Sequence, residues 1–456
     1  MSIKTKTNNP QPTNWLRKIV TGSSHMKQRG LTLLLGLSVG ICLNTPAATY
    51  YVAKNGDDGN PGTEARPWAS IQKAASTAVA GDTVLVKAGT YDEKVRFANG
   101  GTENASITYK PSPNDEVIIS YPAREDHVVL FTKPYIVFEG FKIVSEWLQP
   151  IRLNPGSHHV TIKNCELIGE AARPVSCPKC GEKFTLSGVR QTAHGLVIES
   201  DAVHHVTIQN CRIHGHGQKK GHHGLYIKGD HHLIEGNIIY NNAEYGIHLY
   251  NNQGSVKHCV VRNNILYGNG ADLPTGGSGI IVTQGGHRIH NNVCYDNGRY
   301  GIIVWQVPAG DPPNEIHNNV LHGNGRAGLQ IEASSRTIAR NNICSDNKQQ
   351  NLIVLDSPGT VLDHNCYWPD GPARFRWGSG GARTAPARGA PAGRGEAGDI
   401  GWGCSFAEYK KISGQDAHGI CADPRFVNAI ARDFRLRADS PCLHAGAGLD
   451  IRAFEK

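Results

Sequence analysis

The chain has 456 residues, is 39% hydrophobic, and carries 53 glycines against 2 methionines. That balance suits short strands joined by many tight turns and argues against an all-α fold, and the length fits a solenoid, which adds core by adding coils. Six cations before residue 30 (Lys4, Lys6, Arg17, Lys18, Lys27, Arg29) have no acid among them, so the formal +8 falls to 41 basic against 39 acidic residues without them. The body therefore lacks the basic excess that would argue for a nucleic-acid partner.

Residues 1–48 read as a leader. Met26 to Arg29 form a charged segment, Leu31 to Leu43 an apolar one, and Thr45 to Ala47 a small-residue cleavage zone. The apolar run is too short to span a bilayer, so the expectation is a secreted or periplasmic protein with no membrane span. The residues before Met26 are either an upstream start or an extension of the charged segment. Ile41 directly before Cys42 argues against a lipid anchor.

Residues 49–157 predict an N-terminal cap and the first coils: a strand, a Gly/Asn/Asp turn, an amphipathic helix near Trp68–Val79, and a strand at Thr83–Lys87. A helix across the open end of a solenoid would shield its core and its unpaired strand edge. Regular coils are predicted over 158–368. There Asn237, Asn264, Asn292, Asn319, Asn342 and Asn365 recur at intervals of 27, 28, 27, 23 and 23 residues, and Cys211 and Cys165 fill the same column upstream. A period in the twenties with a short apolar run per unit is the mark of stacked coils. Each coil also has a Gly-led strand (HGLVIES, HGLYIKG, YGIHLYN, SGIIVTQ, YGIIVWQ, AGLQIEA) whose alternation turns Leu196/Ile198, Leu225/Ile227, Ile247/Leu249, Ile280/Val282, Ile302/Val304 and Leu329/Ile331 inward.

An insertion over 169–193 carries Cys177-Pro-Lys-Cys180, half of a zinc knuckle. Zinc, a local disulfide and free thiols all remain open for it. Cys165, Cys211, Cys294, Cys344 and Cys366 fall in or beside ladder columns, where cysteine acts as a small buried hydrophobe. Residues 369–399, rich in Gly, Ala, Arg and Pro, read as a low-complexity linker. Residues 400–456 regain strand and turn signals and read as a C-terminal cap segment.

The segments YYVAKNGDDGNPG, PWASIQKA and AGDTVLVKAGTYDE, the coils of the form GIxxYNN and NNxxYGNG, and the terminal DPRFV and DFRLRADSPCLHAGAG together resemble the right-handed parallel β-helix superfamily, in particular its secreted pectate-lyase-like proteins. The resemblance covers about 49–368 and 400–448. It implies an all-β right-handed parallel β-helix solenoid with an N-terminal helical cap. It also implies calcium as a cofactor where uronate carboxylates are bound.

Chemistry is expected on the outward partners of the Gly-led strands. Tyr226 and Lys228 in one coil meet His248 and Tyr250 in the next. This patch suits a uronate sugar: a lysine neutralises the carboxylate, and a histidine or tyrosine moves the C5 proton and protonates the leaving oxygen. Catalytic candidates are Lys228, His248, Tyr250 and His223. Substrate-binding candidates are Tyr226, Trp305, Glu199 and His222, and metal candidates are Cys177 and Cys180. Solvent-facing sheets also carry such residues for β-propensity alone. His214, His216, His222 and His223 lie within ten residues, but the doublets at 158–159, 204–205 and 231–232 point to a turn that favours histidine. Glu199 and Glu332 are five strands apart, too far for the carboxylate pair of a glycosidase. The expected partner is an acidic polysaccharide, cleaved by β-elimination or altered by C5 epimerisation. The reading of a different class is an exported carbohydrate-binding, envelope or metal-enzyme accessory protein without catalysis.

Overall fold

The computed structural model describes residues 47–121, 127–145, 149–169, 174–176, 183–185, 194–217, 219–250, 255–379 and 403–443. Short strands alternate with turns, and each coil places one strand on each of three parallel sheets. Sheet I has 12 strands, from Thr49–Val52 to Val361–Asp363. Sheet II also has 12, from Gly89–Asp92 to Ile420–Cys421, and sheet III has 11, from Val95–Arg96 to Phe375–Gly378. Two-residue alternation within each strand sends one set of side chains inward. Ile208, Ile234 and Val261 stack from sheet I, Ile213, Ile239 and Leu266 from sheet II, and Leu225, Ile247 and Ile280 from sheet III, all fully buried. Each such side chain contributes about 1.5–3 kcal/mol by leaving water, so every coil strengthens the next.

The six asparagines stack between sheets I and II. Asn237 Nδ2 donates to Asn264 Oδ1 at 2.9 Å, and the same bond repeats through Asn292, Asn319, Asn342 and Asn365 at 2.9–3.0 Å. Each Nδ2 also donates to a backbone carbonyl of an earlier strand, as Asn264 does to Ile234. Both amide hydrogens are thus used, which is necessary because an unpaired polar group buried there costs roughly 1–3 kcal/mol. A second ladder, Asn242, Asn269, Asn297, Asn324 and Asn347, runs between sheets II and III with equal bonds of 3.0 Å. Its period is the same, and each of its residues lies five positions after the matching residue of the first ladder.

The first ladder ends on a carboxylate. Asn365 Nδ2 donates to Asp416 Oδ1 at 2.9 Å, while the phenols of Tyr367 and Tyr409 donate to Asp416 Oδ2 at 2.8 and 2.7 Å. Tyr409 belongs to helix α2 (Phe406–Ser413), which starts with a capping box of Ser405 and Glu408 and stops at Gly414 in the left-handed conformation, φ 67°. Helix α1 (Ile71–Thr77) is shorter than the predicted span. Trp68 lies outside it, bridged to Val52 and buried, with Nε1 donating to Asn60 O at 2.7 Å. Ile71, Ala74 and Ala75 form the buried side of α1, and Ser70 caps it by accepting from Lys73 N. Cys165, Cys211, Cys294, Cys344 and Cys366 are all buried in the coil stack. The insertion contributes an antiparallel pair, Pro174–Ser176 with Lys183–Thr185. Cys177 and Cys180 lie outside the described residues.

Candidate functional site

The outer face of sheet III carries three columns of side chains. Pairing sets Val197, Tyr226, His248, Ile281, Ile303, Gln330 and Ile353 opposite one another in successive coils. One alternation further along lie Glu199, Lys228, Tyr250, Thr283, Trp305 and Glu332. The third column precedes the glycines: His194, His223, Tyr245, Ser278 and Tyr300. The glycines themselves are needed because coils approach closely there. A Cβ on Gly224 would meet Gly246 O at 2.7 Å, and one on Gly246 would meet Gly279 O at 2.8 Å.

Tyr226, Lys228, His248 and Tyr250 therefore share one outer face, but they differ in access. Tyr226, Lys228 and Tyr250 are half-buried, whereas His248 is 7% and His223 2% exposed. The His248 ring sits among four others, with centroids 4.2 Å from His223, 5.1 Å from Tyr226, 5.0 Å from Tyr245 and 4.8 Å from Tyr250. Its Nδ1 has no hydrogen-bond partner among the described residues. Burial, reinforced by the nearby His194, pushes the His248 pKa well below the ordinary imidazole value. Burial, with His248 and His194, does the same to His223. Both rings are neutral at physiological pH.

His223 also meets an acid that the sequence reading passed over. Glu244 Oε2 lies 3.8 Å from His223 Nδ1, and that nitrogen accepts the backbone N–H of Tyr245 at 3.4 Å. Burial raises the Glu244 pKa, against the opposing hydrogen bond from Gly221 N at 2.6 Å. Loss of solvation dominates both members, so the contact is not a strong ion pair. His194 stacks on Tyr226 at 5.1 Å and accepts from His223 N at 3.2 Å, and burial depresses it to about 3. His194 and Tyr245 are the residues before strand glycines and Glu244 stands one position earlier, where strand alternation no longer applies.

Lys228 Nζ stands 5.7 Å from the Tyr226 ring centroid, and no described carboxylate pairs with it. Burial, then the charges of Glu199 and Tyr250, raises the Tyr226 pKa, so its phenol keeps its proton. Tyr250 and Trp305 lie nearly parallel, 6.5 Å apart and 16° between planes, straddling the coil of Thr283. Glu199 is exposed and pairs with Arg152 at 2.7 Å. His222 is half-buried at the edge, its ring 6.1 Å from His194, and burial lowers its pKa. The four imidazoles between 214 and 223 do not converge: His214 stacks on Tyr240 over sheet II, and buried His216 sets Nε2 3.0 Å from Leu167 O. Nor do the acids near the patch. Asp201 accepts from Ser255 N at 3.1 Å and Asp230 lies 3.4 Å from His231, each apart from Glu199.

The family model of the Pel9A-like right-handed β-helix region matches residues 50–357. The chain belongs to this family. Its solenoid is accordingly an all-β, right-handed parallel β-helix. Uncharacterized protein YwoF of Bacillus subtilis (strain 168) is 25% identical over 449 residues, covering 86% of this chain and 91% of that protein. Among solved structures, pectate lyase Pel9A is 18% identical, with 70% of this chain and 77% of that one covered and a TM-score of 0.49. The A-module of the Azotobacter vinelandii mannuronan C-5 epimerase AlgE4 is 17% identical, with 66% and 80% covered and a TM-score of 0.43. An alginate lyase of Paenibacillus sp. str. FPU-7 is 16% identical, with 73% and 99% covered and a TM-score of 0.47.

Proposed function

We propose that this exported protein binds a uronate-containing polysaccharide along the outer face of sheet III and breaks it by β-elimination, or inverts it at C5. The observation that carries this reading is Lys228, a cation with no carboxylate partner among the described residues, set beside the Tyr226 ring and one coil from the Tyr250 and Trp305 platform. An ammonium group at that point offsets the sugar carboxylate and the charge that develops when C5 loses its proton. Neutral His248 accepts that proton, as a weak base close under the surface. Protonated Tyr226 then donates to the departing O4 as the C4–O4 bond breaks, leaving a C4=C5 double bond. Epimerisation shares the first step and returns the proton from the opposite face. Tyr250 and Trp305 would stack on sugar rings, with His222 and Glu199 at the margin and His223 holding His248 from beneath.

A binding protein without turnover is the second reading, favoured by the near-closure of His248 and His223. Calcium at bound carboxylates and zinc or a disulfide at Cys177 and Cys180 belong to the same proposal. So do the leader, the export it directs, and the division into capped ends, coils and linker, with α1 and α2 as end closures. Incubation with pectate, alginate and glycosaminoglycans, with and without calcium, tests it. Ultraviolet absorbance of an unsaturated product supports elimination, and solvent deuterium at C5 without cleavage supports epimerisation. Binding with neither signal would leave the second reading.

A further inference from the structure

The last strand of sheet I, Val361–Asp363, ends where Asp363, His364 and His418 meet. In the turn before the first asparagine ladder, the coils place Asn164, Asn210, Gly236, Asn263, Asn291, Asn318 and Asn341 at φ between 53° and 68°, and the last coil places His364 there at φ 58°. Asparagine and glycine tolerate this left-handed conformation at least cost. Histidine adopts it as well at His159, His205, His231 and His258, so His364 is set apart by the residues its ring meets and not by its backbone.

Asp363 and His418 are those residues. Asp363 Oδ1 accepts two backbone N–H groups, from His364 at 3.0 Å and from His418 at 2.9 Å. These bonds fix the carboxylate plane and turn Oδ2 toward both imidazoles, 3.1 Å from His364 Nδ1 and 2.9 Å from His418 Nδ1. The two rings stack with centroids 4.7 Å apart and 18° between planes. The three donor atoms all lie within 4.8 Å of one another, on an edge that stays open, with His418 exposed. Two nitrogens and one carboxylate oxygen around an open position match the preferences of a d-block dication such as Zn²⁺, Co²⁺ or Ni²⁺. Calcium and magnesium prefer sites built from oxygen.

We propose that Asp363, His364 and His418 form a transition-metal site that clips the C-terminal segment to the last coil of the solenoid. His418 reaches the coil from 55 positions downstream of Asp363, in the short loop that also supplies Asp416 to the end of the asparagine ladder. A cation held by all three side chains therefore adds a tie between the last coil and a segment that also pairs with it through Ile420–Cys421 on sheet II and packs Phe434 and Cys442 against Cys366. It stabilises the folded chain by mass action, because the unfolded chain cannot assemble the three donors. The site is independent of sheet III and of any polysaccharide chemistry there.

The full chain, stripped of metal by chelator dialysis, is titrated with Co²⁺ and separately with Zn²⁺. His418→Ala removes an exposed ligand, and His364→Asn restores the residue that most other coils use, so circular dichroism is expected to match the parent for both. The parent is expected to take up a Co²⁺ ion with d–d absorption free of thiolate charge transfer, which separates it from any ion held at Cys177 and Cys180. Each variant should lose that signal, with affinity weakened on the order of 10-fold or more. Zn²⁺ should raise the thermal midpoint of the parent and leave those of the variants unmoved. Absence of Co²⁺ uptake by the parent, or unchanged uptake in both folded variants, overturns the assignment.

Discussion

Two stretches of the same outer face of sheet III obey the same alternation and reach opposite ends. Over the coils of 194–250 the outward columns hold imidazoles, phenols and Lys228, whereas over 281–355 they hold Ile281, Tyr300, Ile303, Ala327 and Ile353, which form an apolar cluster of their own. Ile281 is only 2% exposed although it pairs with His248 and points away from the core. Facing outward is thus a property of strand parity, and being accessible is a separate one. The upstream stretch is where charge and hydrogen-bonding groups are poised. The downstream stretch buries apolar area a second time, outside the coil, and Tyr245 from the upstream stretch packs against it, as do Trp305 and Leu355.

If the upstream stretch acts and the downstream stretch holds, substitutions should separate the two. Lys228→Ala should lower turnover on the active polysaccharide by roughly 10²–10³-fold, the scale expected for losing one stabiliser of developing charge. Its denaturation midpoint should match the parent, since the ammonium group has no described ion-pair partner. A comparable loss of turnover in a chain whose stability has collapsed would erase the distinction. Ile303→Ala should do the reverse, costing roughly 2–4 kcal/mol in urea unfolding while leaving kcat near the parent value. Preserved stability there would mean that the apolar cluster is only a surface coating.

Acid should find the upstream stretch first. Burial holds His194 at about 3, and also depresses His223 and His248. An unfolded chain binds protons at these positions below about pH 6.5, and the folded chain does not until much lower pH. The stability they contribute is therefore fully present above about pH 6.5 and is lost as pH falls toward their folded values. Hydrogen exchange followed from pH 7 to 4 should quicken in Leu196–Ile198, Leu225–Ile227 and Ile247–Leu249 before Tyr300–Trp305 and Ala327–Glu332, whose own outward columns hold no histidine, although burial also depresses His287, His290 and His322 elsewhere in those coils. Simultaneous loosening of both stretches would show that the coil stack melts as one unit.

The smallest effect is expected at the margin. Glu199→Gln removes an exposed acid whose pairing with Arg152 contributes about 0.5 kcal/mol or less. Stability should hardly change, and the KM for an anionic polymer should fall by about 2-fold at low salt and recover as salt rises. A KM that rises would mean that Glu199 itself binds the sugar.

Much of this is legible in the sequence. The period of Asn237 to Asn365 carries the coil register, because only a stacked column can satisfy a buried amide at each turn. The inward set of the Gly-led strands follows from a two-residue alternation that no tertiary contact can alter without exposing every isoleucine. Parity likewise places Lys228, His248 and Tyr250 on one side. What escaped was local and positional. His194, Tyr245 and Tyr300 stand before the glycines, beyond the reach of strand alternation, and Glu244 is one residue further still. The second asparagine ladder was hidden by the same boundary.

By itself, then, the chain determines its period, its family, its interior and the side of the sheet that Lys228, His248 and Tyr250 share, since each depends on residues close together or regularly repeated. Tertiary structure decides access: that His248 and His223 lie under tyrosines, that Ile281 is covered, and that Lys228 keeps its charge unpaired among the described residues. It also decides the meeting of Asp363 and His364 with His418. Those outcomes depend on which side chains from different coils compete for the same space and the same water, and no spacing along one strand encodes that competition.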